Sequence, residues 1–332
     1  FFNFPRGGFF VPPAHQVRRR KQPFPPASLP DRGFAPDTSS IPVPVSSPHP
    51  SSERTAAYLH AIRERVAKIV VGQEIVVERM LIALLTSGHL LLEGVPGLAK
   101  TLLVNTMARA LHLEFRRIQF TIDLLPSDIL GSEILDEKSG GFRTHKGPIF
   151  TNLLLTDEIN RAAPKVQGAL LEAMQERKVT IDGDTYPLND RFTVIATQNP
   201  IEYEGTFPLP EAQLDRFLMR ISLGYPSFSE ELSVIEQQEQ THPIDALEAL
   251  AFPHDGIGLQ DAAKNVYVDS AVREYIVTLI EATRNHEDVF LGASPRASLG
   301  LFRAARGLAT MRDRDYVIPD DVKELAHAVL SH

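Results

Sequence analysis

Beyond residue 50 the apolar positions change their period along the chain. Over residues 52–70, apolar side chains at 59, 62, 66, 69 and 70 repeat with the spacing of one helix face, and charges take the other. A Val71-Gly72-Gln73 turn leads into a second helical stretch at 74–85. From residue 89 short apolar runs alternate with helical stretches. Residues 89–93 (HLLLE) predict a strand and 98–110 a helix, while 114–121 alternate like a half-buried strand. Buried strands are predicted at 152–156 and 192–197, a shorter one at 220–223, and a helix at 166–176. Strands that alternate with helices call for right-handed crossovers and a parallel sheet, with ligands at the carboxyl ends of its strands.

After Pro226 no strand pattern is present, and 230–240, 271–284, 295–311 and 319–330 all read as helices. Two of them open with Pro at the first helical position, after Ser294 and Ile318, of which only Ser294 is a good capping residue. The fold class expected is therefore α/β with a helical C-terminal part. Residues 51–226 form the α/β domain and 227–332 a separate small helical domain. No internal repeat is visible.

Composition adds a third region. The chain has 332 residues, of which 43% are hydrophobic and 23% charged, a soluble globular balance. Twelve of its 25 prolines fall within residues 1–50, which carry six Lys/Arg against two Asp/Glu. That segment is expected to be a disordered, basic tail, because it has too little apolar surface to offset the entropy of ordering. The cluster Arg18-Arg19-Arg20-Lys21 reads as a solvated patch, and no apolar core follows it to make a secretory signal. The chain begins with Phe, as expected of a fragment or an unusual gene start. Without the tail the formal charge moves from −8 to −12, which speaks against nucleic acid as the main partner. The absence of cysteine excludes a disulfide scaffold, a zinc ribbon, an iron–sulfur cluster and thiol catalysis. The richest apolar stretch, 80–92, is broken at Thr86-Ser87-Gly88-His89, short of the roughly 18 residues of a membrane span. A cytoplasmic location is expected.

The strongest chemical signal is Gly94-Val95-Pro96-Gly97-Leu98-Ala99-Lys100-Thr101, which follows the HLLLE strand and opens a helix. Backbone N–H groups of such a loop and of the helix start point at an anion. Lys100 reaches the β- and γ-phosphates, and the Thr101 hydroxyl binds Mg²⁺. Ala99 stands where the strict pattern has Gly, so a negative φ is expected there. The strand Leu153-Leu154-Leu155-Thr156 ends in Asp157 and Glu158. Asp157 suits the metal site by holding the water shell of Mg²⁺, and Glu158 suits a general base that deprotonates an attacking water. A second carboxylate beside the metal ligand favours hydrolysis over transfer to another substrate. The next strand runs into Ala196-Thr197-Gln198-Asn199-Pro200, whose amide suits the γ-phosphate or the water. The 11 histidines form no metal-ligand spacing, and Gly292-Ala293-Ser294-Pro295-Arg296 lacks the last Gly of a nucleophile elbow.

Taken in order, GVPGLAKT, LLLTDEINRA, ALLEAMQERKVTIDG, ATQNP, LPEAQLDRF and GASPRA resemble a MoxR-family ATPase of the AAA+ superfamily, from about residue 54 to the end. In that family Ala in place of the last loop Gly is usual. The resemblance implies an AAA+ P-loop NTPase core with a five-stranded parallel sheet in the order 5-1-4-3-2 and an all-α lid. ATP and Mg²⁺ are implied as cofactors, held between core and lid. A homo-oligomeric ring, typically a hexamer, is implied, in which a neighbour completes each site. By the same resemblance Lys100 and Thr101 are Walker A, Asp157 and Glu158 Walker B, Asn199 sensor 1, and Arg216 the arginine finger. Arg296 is sensor 2, through which ATP closes the lid, and Val71-Gly72-Gln73 line the adenine pocket. Arg161 is a second candidate for the intersubunit arginine. Insertions at 131–148, with a turn at Ser139-Gly140-Gly141, and at 177–191, around Asp182-Gly183-Asp184, resemble the hairpins of the helix-2-insert clade that face a pore or client. The function implied is that of a chaperone-like remodeller of protein complexes, acting on a protein client with a von Willebrand A-domain partner and in some cases inserting metal cofactors. The rival readings are a magnesium-chelatase-type motor subunit, a DNA-dependent AAA+ ATPase and a non-hydrolysing nucleotide switch.

Overall fold

In the computed structural model, residues 50–136, 140–200, 205–237 and 256–332 are described. Two helices, α1 (Pro50–Ala67) and α2 (Glu74–Leu85), precede the first strand, β1 (Leu90–Glu93). Then come α3 (Lys100–Ala110), β2 (Phe115–Gln119), the short α4 (Pro126–Leu130) and a hairpin, β3 (Gly131–Asp136) with β4 (Gly141–Lys146). β5 (Leu153–Asp157) leads through a single 3-10 turn, Ile159–Arg161, into α5 (Pro164–Glu176). A second hairpin, β6 (Lys178–Ile181) with β7 (Asp184–Pro187), precedes β8 (Thr193–Gln198), the four-residue α6 (Glu211–Leu214) and β9 (Met219–Ser222). The remainder is helical: α7 (Phe228–Gln237), α8 (Gly256–Asn265), α9 (Ser270–Asn285), α10 (Pro295–Met311) and α11 (Pro319–Leu330). The expected tail disorder at 1–50 falls outside the described residues, Pro50 excepted, as do Ser139 of the first hairpin turn and residues 238–240 of the expected helix at 230–240. Three of the described helices were not expected from the sequence pattern. Two are the short α4 and α6; the third, α8, has an apolar face too short for its period to stand out.

The central sheet has the order β2-β5-β8-β1-β9, and every neighbouring pair is parallel. Numbered by position among these five strands, that is 5-1-4-3-2, as the resemblance implies. The period-2 geometry of a strand sorts its apolar residues onto two faces. Leu90, Leu92, Leu153, Leu155 and Ile195 join one hydrophobic cluster with α1, α2 and α3. Leu91, Leu154, Val194 and Ala196 join another with Val166, Leu170 and Met174 of α5. Both faces are covered, which is why these strands read as continuous apolar runs rather than alternating ones. β2 is more polar because it is the sheet edge: Arg116, Arg117 and Gln119 are exposed while Ile118 is buried.

The C-terminal helices pack into the first of these clusters. Leu301, Ala304, Ala305 and Leu308 of α10 and Val322, Leu325 and Val329 of α11 are buried in it together with Ile82 of α2. α10 begins where the sequence places its cap: the Ser294 hydroxyl accepts from the Arg296 N–H at 3.0 Å and donates to the Asp215 carboxylate at 2.7 Å. One side chain thus caps the helix and ties it to the segment before β9. α9 is capped in the same way by Asp269, which accepts from the Ala271 N–H at 2.8 Å.

Candidate nucleotide-binding site

The loop between β1 and α3 turns tightly over the carboxyl end of the sheet. Its floor is Glu93, a buried carboxylate that pairs with Arg220 Nε of β9 at 2.7 Å and accepts a short hydrogen bond from Gln198 Nε2 of β8. The loop carries two left-handed residues, Gly97 (φ +88°) and Ala99 (φ +53°, ψ +26°). The second corrects the expectation of a negative φ at Ala99. The N-cap of α3 must turn the chain so that the first helical N–H groups face the cleft, and a Cβ is tolerated there at a cost of roughly 1–2 kcal/mol. Lys100 Nζ donates to the Gly94 carbonyl at 2.5 Å, so the ammonium already lies over the loop.

Across the cleft, β5 delivers the two carboxylates. Asp157 is 8% exposed, and both its oxygens are engaged. Oδ1 accepts from Thr197 Oγ1 at 2.6 Å, and Oδ2 lies 3.3 Å from Thr101 Oγ1. The same Thr197 hydroxyl accepts from the Glu158 N–H at 2.9 Å, so one buried residue of β8 positions both acidic residues. Glu158 itself sits in the left-handed region (φ +56°, ψ +52°). Such strain in a residue that is not Gly persists only where the surroundings over-determine it, as at functional sites. Its carboxylate is held by Arg161 Nε at 2.8 Å and by Gln119 Nε2 at 2.9 Å. Arg117, on the same face of β2 as Gln119, donates Nη2 and Nε to Asp157 Oδ2 at 2.7 and 3.0 Å.

Pro96 to Thr101, Arg117, Gln119, Asp157, Glu158, Thr197 and Asn199 line one cleft of about 340 Å³. The structure thus brings together Leu98, Ala99, Lys100, Thr101, Asp157, Glu158 and Asn199, with Gly94 and Val95 at the loop's root. Val71, Gly72 and Gln73 do not line this cleft; Gly72 (φ +78°) lies against Glu230 of α7. Three of the lining residues were missed in the sequence: Arg117, Gln119 and Thr197. The polar alternation of β2 and a hydroxyl at the end of an otherwise apolar strand are the signals that point to them.

Arg216 and Arg296 lie elsewhere. They line a second cavity, of about 360 Å³, with Ser87, His89, Arg177 and Arg303. Ser87 to His89 precede β1 and Arg216 precedes β9, so this cavity is at the amino end of the parallel strands, whereas the P-loop is at the carboxyl end. Arg296 Nη1 stands 3.8 Å from Asp215 Oδ2. In this structure Arg296 therefore stands away from the P-loop of its own chain.

Comparison with known proteins agrees with this geometry. Residues 89–219 match the model for the ATPase family associated with various cellular activities (AAA), and residues 281–332 match the AAA lid domain. Chaperone MoxR1 of Mycobacterium tuberculosis is 50% identical over 298 residues, which cover 86% of this chain and 78% of that protein. The chain belongs to the MoxR family of AAA+ ATPases. Protein MoxR of Paracoccus denitrificans is 34% identical over 80% of this MoxR-family chain and 84% of its own length. The YeaC protein of Bacillus subtilis is 51% identical over 81% and 84%. A crystal structure from Cytophaga hutchinsonii superposes on the MoxR-family chain with a TM-score of 0.78, 44% identity and coverage of 84% of this chain and 88% of the other. The protein is thus a nucleotide-binding ATPase with an AAA+ core and a helical lid. Among its described residues no helix is long and apolar enough to cross a membrane.

Proposed function

We propose that this ATPase hydrolyses MgATP in the cleft between the Gly94–Thr101 loop and the end of β5, in a ring whose neighbouring subunit supplies arginines to each site. The observation that carries the reading is the bonded set Thr101–Asp157–Thr197–Glu158, which meets the phosphate loop at the carboxyl end of the sheet. Loop amides and Lys100 bind the phosphates. Thr101 Oγ1 and Asp157 Oδ2 are hard oxygen donors on one side of the cleft, the donor type Mg²⁺ selects. Bound there, the ion neutralises phosphate charge. Asn199 orients the γ-phosphate, and Glu158 takes a proton from the attacking water. Val71, Gly72 and Gln73, which lie outside this cleft, are the residues we propose for the base.

Arg216 and Arg296 share one cavity at the opposite end of the sheet from the P-loop, which supports their delivery in trans, as the finger and its companion. Arg161 holds Glu158 within its own chain and is the weaker candidate for that role. The assembly is a cytoplasmic ring, a hexamer by analogy, that acts as a chaperone-like remodeller. The name of the mycobacterial relative supports that role, and a von Willebrand A-domain protein is the partner class we propose. Glu158→Gln removes the base and keeps the hydrogen-bonding shape. The variant is expected to bind ATP like the parent while turnover falls by about 10²–10⁴-fold. Undiminished turnover in a phosphate-release assay would refute the assignment. Affinity capture with the same variant, held in ATP, identifies the client.

A further inference from the structure

The cleft contains a cation that the hydrolysis scheme above does not use. Arg117 directs two N–H groups at a single oxygen, Asp157 Oδ2, at 2.7 and 3.0 Å. That oxygen is the one nearest Thr101 Oγ1, at 3.3 Å, and the other, Oδ1, is committed to Thr197. The oxygen that completes the hard-donor pair is therefore the one the guanidinium covers. Arg117 stands on the edge strand of the sheet, and its side chain is 46% exposed against 11% for Asp157. Its position is not shared by its neighbour: Arg116 points the other way along the pleat and pairs with Glu114 at 3.3 Å. Among the described residues, the one other side chain to which Arg117 donates is Gln119, two residues on along the same face, which in turn holds Glu158.

We infer that Arg117 is a positioning residue that stands in for the divalent cation at Asp157 and must release Oδ2 before Mg²⁺ binds there. A guanidinium with two N–H groups on one carboxylate oxygen competes with Mg²⁺ for that oxygen, because both draw on its lone pairs and their charges repel. Arg117 is suited to yield. Its side chain is half-exposed, it stands on an edge strand, and it lines the open cleft beside Lys100. The arrangement keeps a buried carboxylate compensated at all times and makes metal entry a competition.

The inference rests on Asp157 as a metal ligand, and the test separates the two. Binding of a fluorescent ATP analogue to the full chain is titrated with MgCl₂, and the half-saturating Mg²⁺ concentration is read with no turnover involved. Arg117→Gln should lower it by about three- to tenfold, the scale of a charge-assisted hydrogen bond that no longer competes. Arg117→Lys, which keeps the charge but loses the fork, should move it the same way by less. Arg116→Gln, which removes an equal charge one residue away, should leave it unchanged. A half-saturation that is unchanged or raised in Arg117→Gln, or an equal fall in Arg116→Gln, overturns the stand-in role. If Asp157→Asn leaves the Mg²⁺ dependence intact, the assignment of the metal ligand itself fails.

Discussion

At the scale of single residues, two left-handed positions flank the cleft, Ala99 and Glu158. Both put a Cβ where glycine would be cheaper, and both are the residues that turn the chain toward the phosphates. At Ala99 the two costs can be compared. Removing the Cβ recovers roughly 1–2 kcal/mol of left-handed strain, while glycine's freedom in the unfolded chain takes back about 0.4–1 kcal/mol. Ala99→Gly should therefore leave stability unchanged or raise it by up to about 1.6 kcal/mol. Urea denaturation followed by circular dichroism measures this, and a clear loss of stability would contradict the backbone conformation. The motif itself was legible here: Lys100 and Thr101 open the helix after the Gly-rich loop, and Asp157 and Glu158 stand at the end of an apolar strand. The sign of φ at Ala99 was not, because a sequence does not display where the first helical N–H groups must aim.

Elements are joined by a few polar side chains placed where strands begin. His89, fully buried ahead of β1, accepts from the Val194 N–H of β8 at 3.0 Å on Nδ1. Its Nε2 faces the Met174 carbonyl of α5 at 3.2 Å and donates to it. Burial first, and the nearby Arg177 charge second, push its pKa down to about 4 from 6.5. The unfolded chain therefore binds a proton at His89 between about pH 6.5 and 4 where the folded chain does not, so folding loses stability as pH falls through that window. The full shift corresponds to roughly 3 kcal/mol. His89→Gln keeps one acceptor and one donor without titrating. Its denaturation free energy should fall less steeply with acid than the parent's across the window; parallel slopes would rule out His89 as the source. The two inserted hairpins are joined in a comparable way. Thr144 and Tyr186 hydroxyls meet at 2.8 Å, Lys146 Nζ sits 4.9 and 5.2 Å from the Phe150 and Tyr186 rings, and the Glu133 N–H donates to Asp182 at 2.9 Å. The second turn was readable as Asp182-Gly183, both left-handed at φ +49° and +104°. The contact between hairpins was not, since it joins residues some 40 positions apart.

For the whole molecule, the decisive fact is that one end of a parallel sheet holds the phosphate loop and the other holds Arg216 and Arg296. A head-to-tail ring brings such ends together, each subunit completing its neighbour. Arg216→Ala should bind nucleotide normally and lose about 10³-fold or more in turnover. Mixed with Glu158→Gln, which still carries Arg216, it should regain part of the activity. A site that keeps its Glu158 then borrows the arginine from next door. A mixture as inert as its components, with assembly confirmed by light scattering, would exclude delivery in trans.

The strands themselves and the chemistry at the ends of β1 and β5 were legible in the sequence, because a two-sided parallel sheet writes itself as apolar runs and leaves its polar residues at strand ends, whereas the strand order was implied only by the family resemblance. The capping of α10 by Ser294 was legible for the same local reason. What only the tertiary structure decided is which distant groups share a space. Arg117 on Asp157, Thr197 between the two acids, and Arg296 beside Asp215 rather than above the P-loop all depend on strand neighbours and helix packing. Those relations are set by burial summed over the whole fold, and no local spacing along the chain encodes them.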